Sequence, residues 1–367
     1  MKIAIDVSQV LYGTGVSHYT KFLVNELVHL PSQHEFVLFG GSLRRKKELD
    51  LWVNRLPKVI NKINYLSPQM LHFFWNTLHV IPAEVFTGPV DLIHTSDWAE
   101  PPAKAPKVTT IHDLAMFHDP QYAHPQINHV HRKRLFWVMK ESSKIIAVSH
   151  ATKNYIIKYL GVSPEKIEVI YEASTIPKPS LNSTEITLNQ LKRFGIHKPY
   201  LFIPGSGHPR KNIAKAVTAF NQANLDLLLV IAGRPSPEEQ QLASNSVIFT
   251  GFVSDLDFAL LVSQAQVLLY PSLYEGFGLP ILDAFTVETP VVTSSVSSLP
   301  EIAGSASILV DPQDPDHIAD GIIKALESRD ALIKKGNEQL KKFSWKKTAQ
   351  ETMKLYEDVV KNINDLS

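Results

Sequence analysis

Short apolar runs of strand length recur from one end of the chain to the other, with helical patterns between most of them. In the first half they fall at residues 3–5, 36–39, 91–93, 108–111, 144–148 and 167–170. In the second half they fall at 200–203, 227–231, 247–249, 267–270, 291–292 and 308–310. Helical patterns such as 17–30 and 212–221 lie between them. This rhythm restricts the fold sharply. Parallel strands need long crossovers, the crossovers are usually helices, and the helices cover both sheet faces. The expected class is α/β, with doubly wound parallel sheets.

The two halves echo each other. Each starts with a strand and a small-residue loop that opens onto a helix: Gly13-Thr-Gly15 in the first, Gly205-Ser-Gly207 in the second. Two Rossmann-like domains facing across a cleft are therefore expected. The stretch Ile176-Pro-Lys-Pro-Ser-Leu-Asn-Ser-Thr184 is rich in Pro, Ser and Asn and reads as the linker. The expected domains are 1–175 and 176–345, followed by a C-terminal helix at 346–367.

A length of 367 residues suffices for two cores. A net charge of +1 offers no bulk field for nucleic acid, so no nucleic-acid partner is expected. The chain has no cysteine, which excludes disulfides and thiolate metal sites and suits the cytoplasm. Its first residues read as a strand rather than a signal peptide, and no 18-residue apolar stretch occurs.

The segment Ser272-Leu-Tyr-Glu275-Gly276-Phe277-Gly278-Leu279-Pro280-Ile-Leu-Asp283 lies between an apolar run and a helical pattern. Strand, glycine loop and helix in that order present backbone N–H groups to a diphosphate. Two acids beside such a cradle do not suit the phosphate. They suit hydroxyls, because ionised carboxylates only accept hydrogen bonds. A ligand with a diphosphate and many hydroxyls is a nucleotide sugar. Gly205-Ser-Gly207-His-Pro-Arg210-Lys211-Asn212 forms a second loop of this kind. Cations at a helix start oppose the helix dipole, a misfit that a bound anion removes. Two solvated surface cations are the plain alternative.

These segments resemble the Glu-x7-Glu signature and the Arg-Lys-Asn segment of retaining glycosyltransferase family 4, which has the GT-B fold. The resemblance continues through Thr289-Pro-Val-Val292 and Ser297-Ser-Leu-Pro-Glu301. Three positions depart from it. The second Glu is Asp283 here, with a reach shorter by roughly 1.5 Å. Glu288 stands where the family usually has Gly, and Ser206 stands where one branch has Arg.

The resemblance implies that Glu275 contacts the donor sugar and Asp283 the ribose hydroxyls. It implies that the backbone of Gly276, Phe277, Gly278 and Leu279 holds sugar and diphosphate, and that Gly205 lets its loop approach closely. Arg210 and Lys211 would bind the diphosphate and stabilise the departing nucleoside diphosphate. The segment Gly251-Phe-Val253 would cup the base, with Val253 at its end. In the first half, Gly13 and Gly15 would approach the donor phosphates or the acceptor. His112 would lie near the transferred sugar, with Asp113 orienting it or facing the acceptor. The last helix would cross back to the first domain.

Several residues keep a second reading. Gly13-Thr-Gly15 also suits a tight turn, Gly251-Phe-Val253 a plain strand-to-helix turn, and Asp283 the first turn of a helix. His118-Asp119 repeats the His-Asp pair of 112–113. His94, His118, His124, His129 and His131 lie nearby, but none has helical spacing with an acidic partner, so no metal site is expected. Asp255-Leu-Asp257 reads as a first helical turn behind an N-cap at Ser254. Basic residues at 43–47 and aromatics near Phe73-Phe-Trp75 could meet a membrane-embedded acceptor at the inner face. Core packing of those aromatics is the other reading.

The implied activity is retaining transfer of a sugar from a GDP- or UDP-linked donor, with a lean to GDP-mannose. The acceptor would be a hydroxyl of a glycan or lipid-linked acceptor, as in polysaccharide biosynthesis. No cofactor is implied beyond the donor. The alternatives are a sugar-nucleotide epimerase of the same fold, or a non-catalytic nucleotide-sugar-binding subunit.

Overall fold

The apolar runs assemble into two sheets in a computed structural model that describes residues 1–122, 125–177 and 189–365. The first sheet holds β1 (Lys2–Asp6), β2 (Glu35–Gly41), β3 (Val59–Asn64), β4 (Leu92–Ser96), β5 (Lys107–Ile111), β6 (Ser142–Ala147) and β7 (Ile167–Val169). Its order is β3-β2-β1-β4-β5-β6-β7. The second holds β8 (Tyr200–Ile203), β9 (Leu228–Ile231), β10 (Val247–Phe249), β11 (Val267–Tyr270), β12 (Val291–Ser294) and β13 (Ile308–Val310). Its order is β10-β9-β8-β11-β12-β13. All pairings between these strands are parallel. The central strands β4, β5, β8, β9, β11 and β12 are buried along their whole length. Helix cover on both faces requires this.

β3 is the strand the apolar pattern does not announce. It is an edge strand, paired to β2 alone and mostly half-exposed, so it carries little apolar signal. It lies beside the basic and aromatic stretch noted above, and that stretch divides. Trp75 is core at 1% exposure, while Phe73 is 50% exposed. Arg45 and Lys46 pair with Glu48 and Asp50. Among the described residues no helix is long and apolar enough to cross a membrane.

The chain divides into two compact units, Met1–Glu172 with Trp345–Ser367, and Ala173–Ser344. In the first unit the C-terminal helix Trp345–Asn364 packs on the helix Gly15–His29. Trp345 stacks on Phe22 with ring centroids 5.3 Å apart. Tyr356 Oη lies 2.5 Å from His94 Nδ1, and Thr348 donates to the Tyr171 carbonyl at 2.7 Å. Burial holds His94 neutral, with its pKa pushed down to about 3, so its Nδ1 can accept from the phenol. Of the stretch read as a linker, residues 178–184 lie outside the described residues. Residues 173–175 belong to the second unit rather than the first, where Ser174 and Thr175 bond to Asp283.

Glu288 joins the helix Leu279–Thr286 to β12 with φ of +61°. An L-residue with a Cβ costs about 1–2 kcal/mol in this left-handed region, which explains why glycine suits the position. Its exposed carboxylate accepts from Asn337 Nδ2 at 3.2 Å. Glu288→Gly is expected to raise stability by up to about 1 kcal/mol, because strain relief exceeds the roughly 0.5–1 kcal/mol entropic cost of glycine. Urea unfolding checks this, with Glu288→Ala as the control that keeps the Cβ. Equal midpoints for the two variants would refute the strain.

Candidate active site

In the second sheet the strand order reverses between β8 and β11. Loops leaving such a pair run to opposite faces and open a crevice at the strand C-termini. The loop after β8 brings Arg210 and Lys211 to that crevice, and the loop after β11 brings Glu275. Lys211 Nζ donates to Glu275 Oε1 at 2.8 Å, and Arg210 Nη1 forms an ion pair with Glu275 Oε2. Arg210 also donates to the Tyr274 carbonyl at 3.2 Å, and Lys211 to Tyr270 Oη at 3.1 Å. Glu275 is 7% exposed. Burial raises its pKa, but Arg210 and Lys211 outweigh burial and hold it at about 2. Two cations against one carboxylate leave this set of three with a surplus positive charge.

Local structure sets this geometry. Pro209–Lys211 forms a 3-10 turn ahead of the helix Ile213–Ala223, so the cations precede that helix rather than opening it. Asn212 follows with φ of +60°, and its side-chain amide donates to the carbonyls of Pro271 (3.1 Å) and Pro312 (2.7 Å). That fastens the β8 loop to the loops after β11 and β13. Leu273 N donates back to the Arg210 carbonyl at 2.8 Å. On the other side, Ser298 Oγ donates to the carbonyls of Glu275 (3.0 Å) and Phe277 (2.7 Å), and Ser297 Oγ accepts from Glu275 N at 3.1 Å. The glycine loop is therefore held open by its neighbours. Gly278 caps the helix Leu279–Thr286 with φ of +116°, which only glycine adopts readily, so that helix opens with no side-chain cap. Pro280 has no N–H and Ile281 N donates to the Gly278 carbonyl at 3.0 Å, so the Leu279 N–H is the first-turn donor left for an anion.

Asp283, expected to meet the ribose hydroxyls, bonds here to Ser174 and Thr175. It is 2% exposed, and Oδ1 accepts from Thr175 N (2.7 Å), Ser174 Oγ (2.9 Å) and Thr175 Oγ1 (3.2 Å). Oδ2 accepts from Thr175 Oγ1 at 3.1 Å. The shorter aspartate is engaged by the chain segment that enters the unit. Burial pushes its pKa up to about 6, and the hydrogen bonds from Thr175 and Ser174 offset only part of that.

The remaining loops share the same sheet edge. Gly205 and Gly207 follow β8, and Gly207 N donates to Glu239 Oε2 at 2.6 Å. Gly233 N, after β9, donates to the Gly251 carbonyl, after β10, at 2.9 Å. Val253 sits just beyond, half-buried, beside an exposed Phe252. Asp255 and Asp257 do open a helix, Asp255–Ser263, with Ser254 as its cap, and Asp257 pairs with Arg193. Among the described residues no group of three His, Asp or Glu could hold a metal ion.

In the first unit, Gly13 lies in an exposed loop, and Gly15 opens the helix Gly15–His29 behind its cap Thr14. His112 stands just beyond β5. Its Nδ1 lies 3.0 Å from Glu172 Oε1 and its Nε2 3.0 Å from Ser96 Oγ. Glu172, not Asp113, orients the imidazole. Asp113 accepts from Ala115 N at 3.0 Å and Asp119 from Gln121 N at 2.9 Å, so both cap local turns. Nothing near His112 in sequence signals Glu172, sixty residues on. His124 lies outside the described residues.

Two family models match the chain: "Glycosyltransferase Family 4" over residues 13–173 and "Glycosyl transferases group 1" over 189–346. "O-antigen chain mannosyltransferase B" of Escherichia coli is 28% identical over 391 residues, covering 97% of this chain and 99% of the relative. "O-antigen chain mannosyltransferase RfbU" of Salmonella typhimurium is 24% identical over 344 residues, covering 89% and 91%. Anabaena HepE, solved in complex with UDP and glucose, superposes with a TM-score of 0.69 at 18% identity, covering 98% of this chain and all of that one. The fold is that of the GT-B enzymes.

Asp283 gives this arrangement a pH signature. A carboxyl whose folded pKa is raised stabilises the protein below its unfolded pKa of about 3.8, and that stability is lost as pH rises through about 6. Asp283→Asn does not titrate. Its melting temperature relative to the parent chain is expected to climb between about pH 4 and pH 7. A difference that stays flat across those melts would mean that Asp283 titrates as an ordinary carboxyl.

Proposed function

This chain belongs to the group 1 glycosyltransferases of family 4 and transfers a glycosyl group, and we propose that the group is mannose, taken from GDP-mannose with retention of configuration. The acceptor in this reading is a hydroxyl of a glycan or lipid-linked glycan in polysaccharide assembly. The mannosyl assignment is supported by similarity along nearly the whole chain to an O-antigen chain mannosyltransferase. The chemistry rests on one observation, the ion-paired set Arg210, Lys211 and Glu275 at the β8–β11 crevice.

The donor diphosphate would lie against Arg210 and Lys211. Cations fixed before the reaction stabilise charge on departing GDP without reorganising. A carboxylate held at about 2 by two cations is a weak nucleophile, so Glu275 is better suited to holding a donor hydroxyl than to forming a glycosyl-enzyme bond. In the proposed same-face step the acceptor oxygen bonds to the anomeric carbon as the carbon–phosphate-oxygen bond breaks. The bonding pair leaves with the phosphate, and the acceptor proton passes to that phosphate oxygen. Ribose hydroxyls would exchange with the Ser174 and Thr175 hydroxyls at Asp283. Val253 would border the base, and His112, held by Glu172, would hydrogen-bond a sugar hydroxyl.

Incubation with a panel of GDP- and UDP-linked sugars tests the donor. GDP-mannose is expected to be consumed fastest, and preference for a UDP-sugar would reject the mannosyl reading. Lys211→Ala should lower kcat by about a hundredfold or more, the usual loss when one charge-stabilising donor is removed. An unchanged kcat in a folded variant would remove Lys211 from the mechanism.

A further inference from the structure

In the first sheet the strand order reverses between β1 and β4, so a second crevice opens at their C-termini. His112 stands beside it, at the end of β5. At the reversal itself is Asp97, directly after Ser96 of β4. Its φ is +65°, a left-handed conformation that aspartate adopts more readily than most residues when its side chain bonds to the nearby backbone. Loop aspartates elsewhere in this chain bond to a nearby backbone N–H: Asp113 to Ala115, Asp119 to Gln121, Asp311 to Gln313. Half-buried Asp97 accepts no hydrogen bond and forms no ion pair among the described residues. Its backbone is strained, and no internal contact of its side chain accounts for that.

What surrounds Asp97 has one chemistry. Tyr12, from the loop after β1, is 41% exposed and meets Trp98 edge to face at 6.5 Å. Trp98 in turn lies 5.4 Å from the His131 ring. Among the described residues the Tyr12 hydroxyl, the Trp98 indole N–H and the His131 ring nitrogens have no hydrogen-bond partner. Burial lowers the pKa of His131, so the ring is neutral, with one donor and one acceptor nitrogen. Arg134 is 3% exposed with an unpartnered Nε; burial lowers its pKa, and the carboxylates of Glu100, Asp97 and Asp6 oppose that. Aromatic faces, unengaged donors and a free carboxylate complement a neutral pyranose, which has an apolar C–H face and a ring of hydroxyls. A phosphate would be repelled by the unpaired carboxylate.

We propose that Tyr12, Asp97, Trp98 and His131 form the subsite for the terminal saccharide of the acceptor, with Asp97 receiving its hydroxyls. The proposal rests on the glycosyl-transfer reading above and names its acceptor side. Asp97→Gly is the decisive variant, because glycine relieves the left-handed backbone while removing the carboxylate. With an α-linked mannobiose as acceptor and GDP-mannose as donor, the acceptor KM should rise about ten- to a hundredfold, as for lost hydrogen bonds to a charged group. The donor KM and slow GDP-mannose hydrolysis should stay level, and the melting temperature should hold or rise. Saturation-transfer NMR with mannobiose alone should show contact with the parent chain and its loss in Asp97→Gly. An unchanged acceptor KM, persistent contact in the variant, or no contact with the parent chain overturns the subsite. Contact that depends on Asp97 in a chain that turns over no nucleotide sugar would instead sink the catalytic reading and leave the subsite standing.

Discussion

Arg210 and Lys211 are adjacent, largely buried cations, and Glu275 is what lets them share one crevice. Their side chains are 22% and 15% exposed, and that of Glu275 is 9% exposed. Without the carboxylate, two like charges would face each other in a poorly solvated place. Removing one partner from such a set typically costs about 3–5 kcal/mol. The pairing also ties the β8 loop to the β11 loop, and Asn212 and Ser298 extend the tie to the loops after β13 and β12. Four loops are therefore ordered around one charge arrangement before any donor arrives. In the proposed reaction an incoming diphosphate would meet cations already aimed, which is where electrostatic preorganisation gains over water.

Both sheets reverse direction between their first and fourth strands, and each reversal gathers chemistry-bearing side chains. The two crevices differ in electrical character. The second carries two cations on one carboxylate and the Leu279 N–H at a helix start. The first carries an unpaired carboxylate, a neutral imidazole and aromatic rings. An anionic donor and an uncharged saccharide make opposite demands, and in the proposed reading these two settings would answer them separately.

Much of this architecture was legible in the sequence. Buried parallel strands are apolar at every position, so β8, β9 and β11 stand out from their letters alone. β3 does not, because an edge strand has one neighbour and a wetter face. The placement of Arg210, Lys211 and Glu275 in loops that follow strands was legible, because each follows an apolar run of strand length. Their mutual ion pair was not, since it joins positions 64 apart in the chain. The same distance hides Glu172 behind His112. It also hides Ser174 and Thr175, which take up Asp283 from over a hundred residues away. Asp97 escaped because a left-handed backbone has no letter of its own when the residue is not glycine.

The return of the helix Trp345–Asn364 to the first unit orders events during synthesis. The ribosome delivers Ala173–Ser344 complete, with its own sheet, before the residues that finish the first unit emerge. Until then Tyr19, Phe22 and His94 lack the cover that Trp345 and Tyr356 supply. The domain made second thus becomes able to close first. The earlier one waits with an apolar groove exposed, a state that chaperones bind and that aggregation exploits.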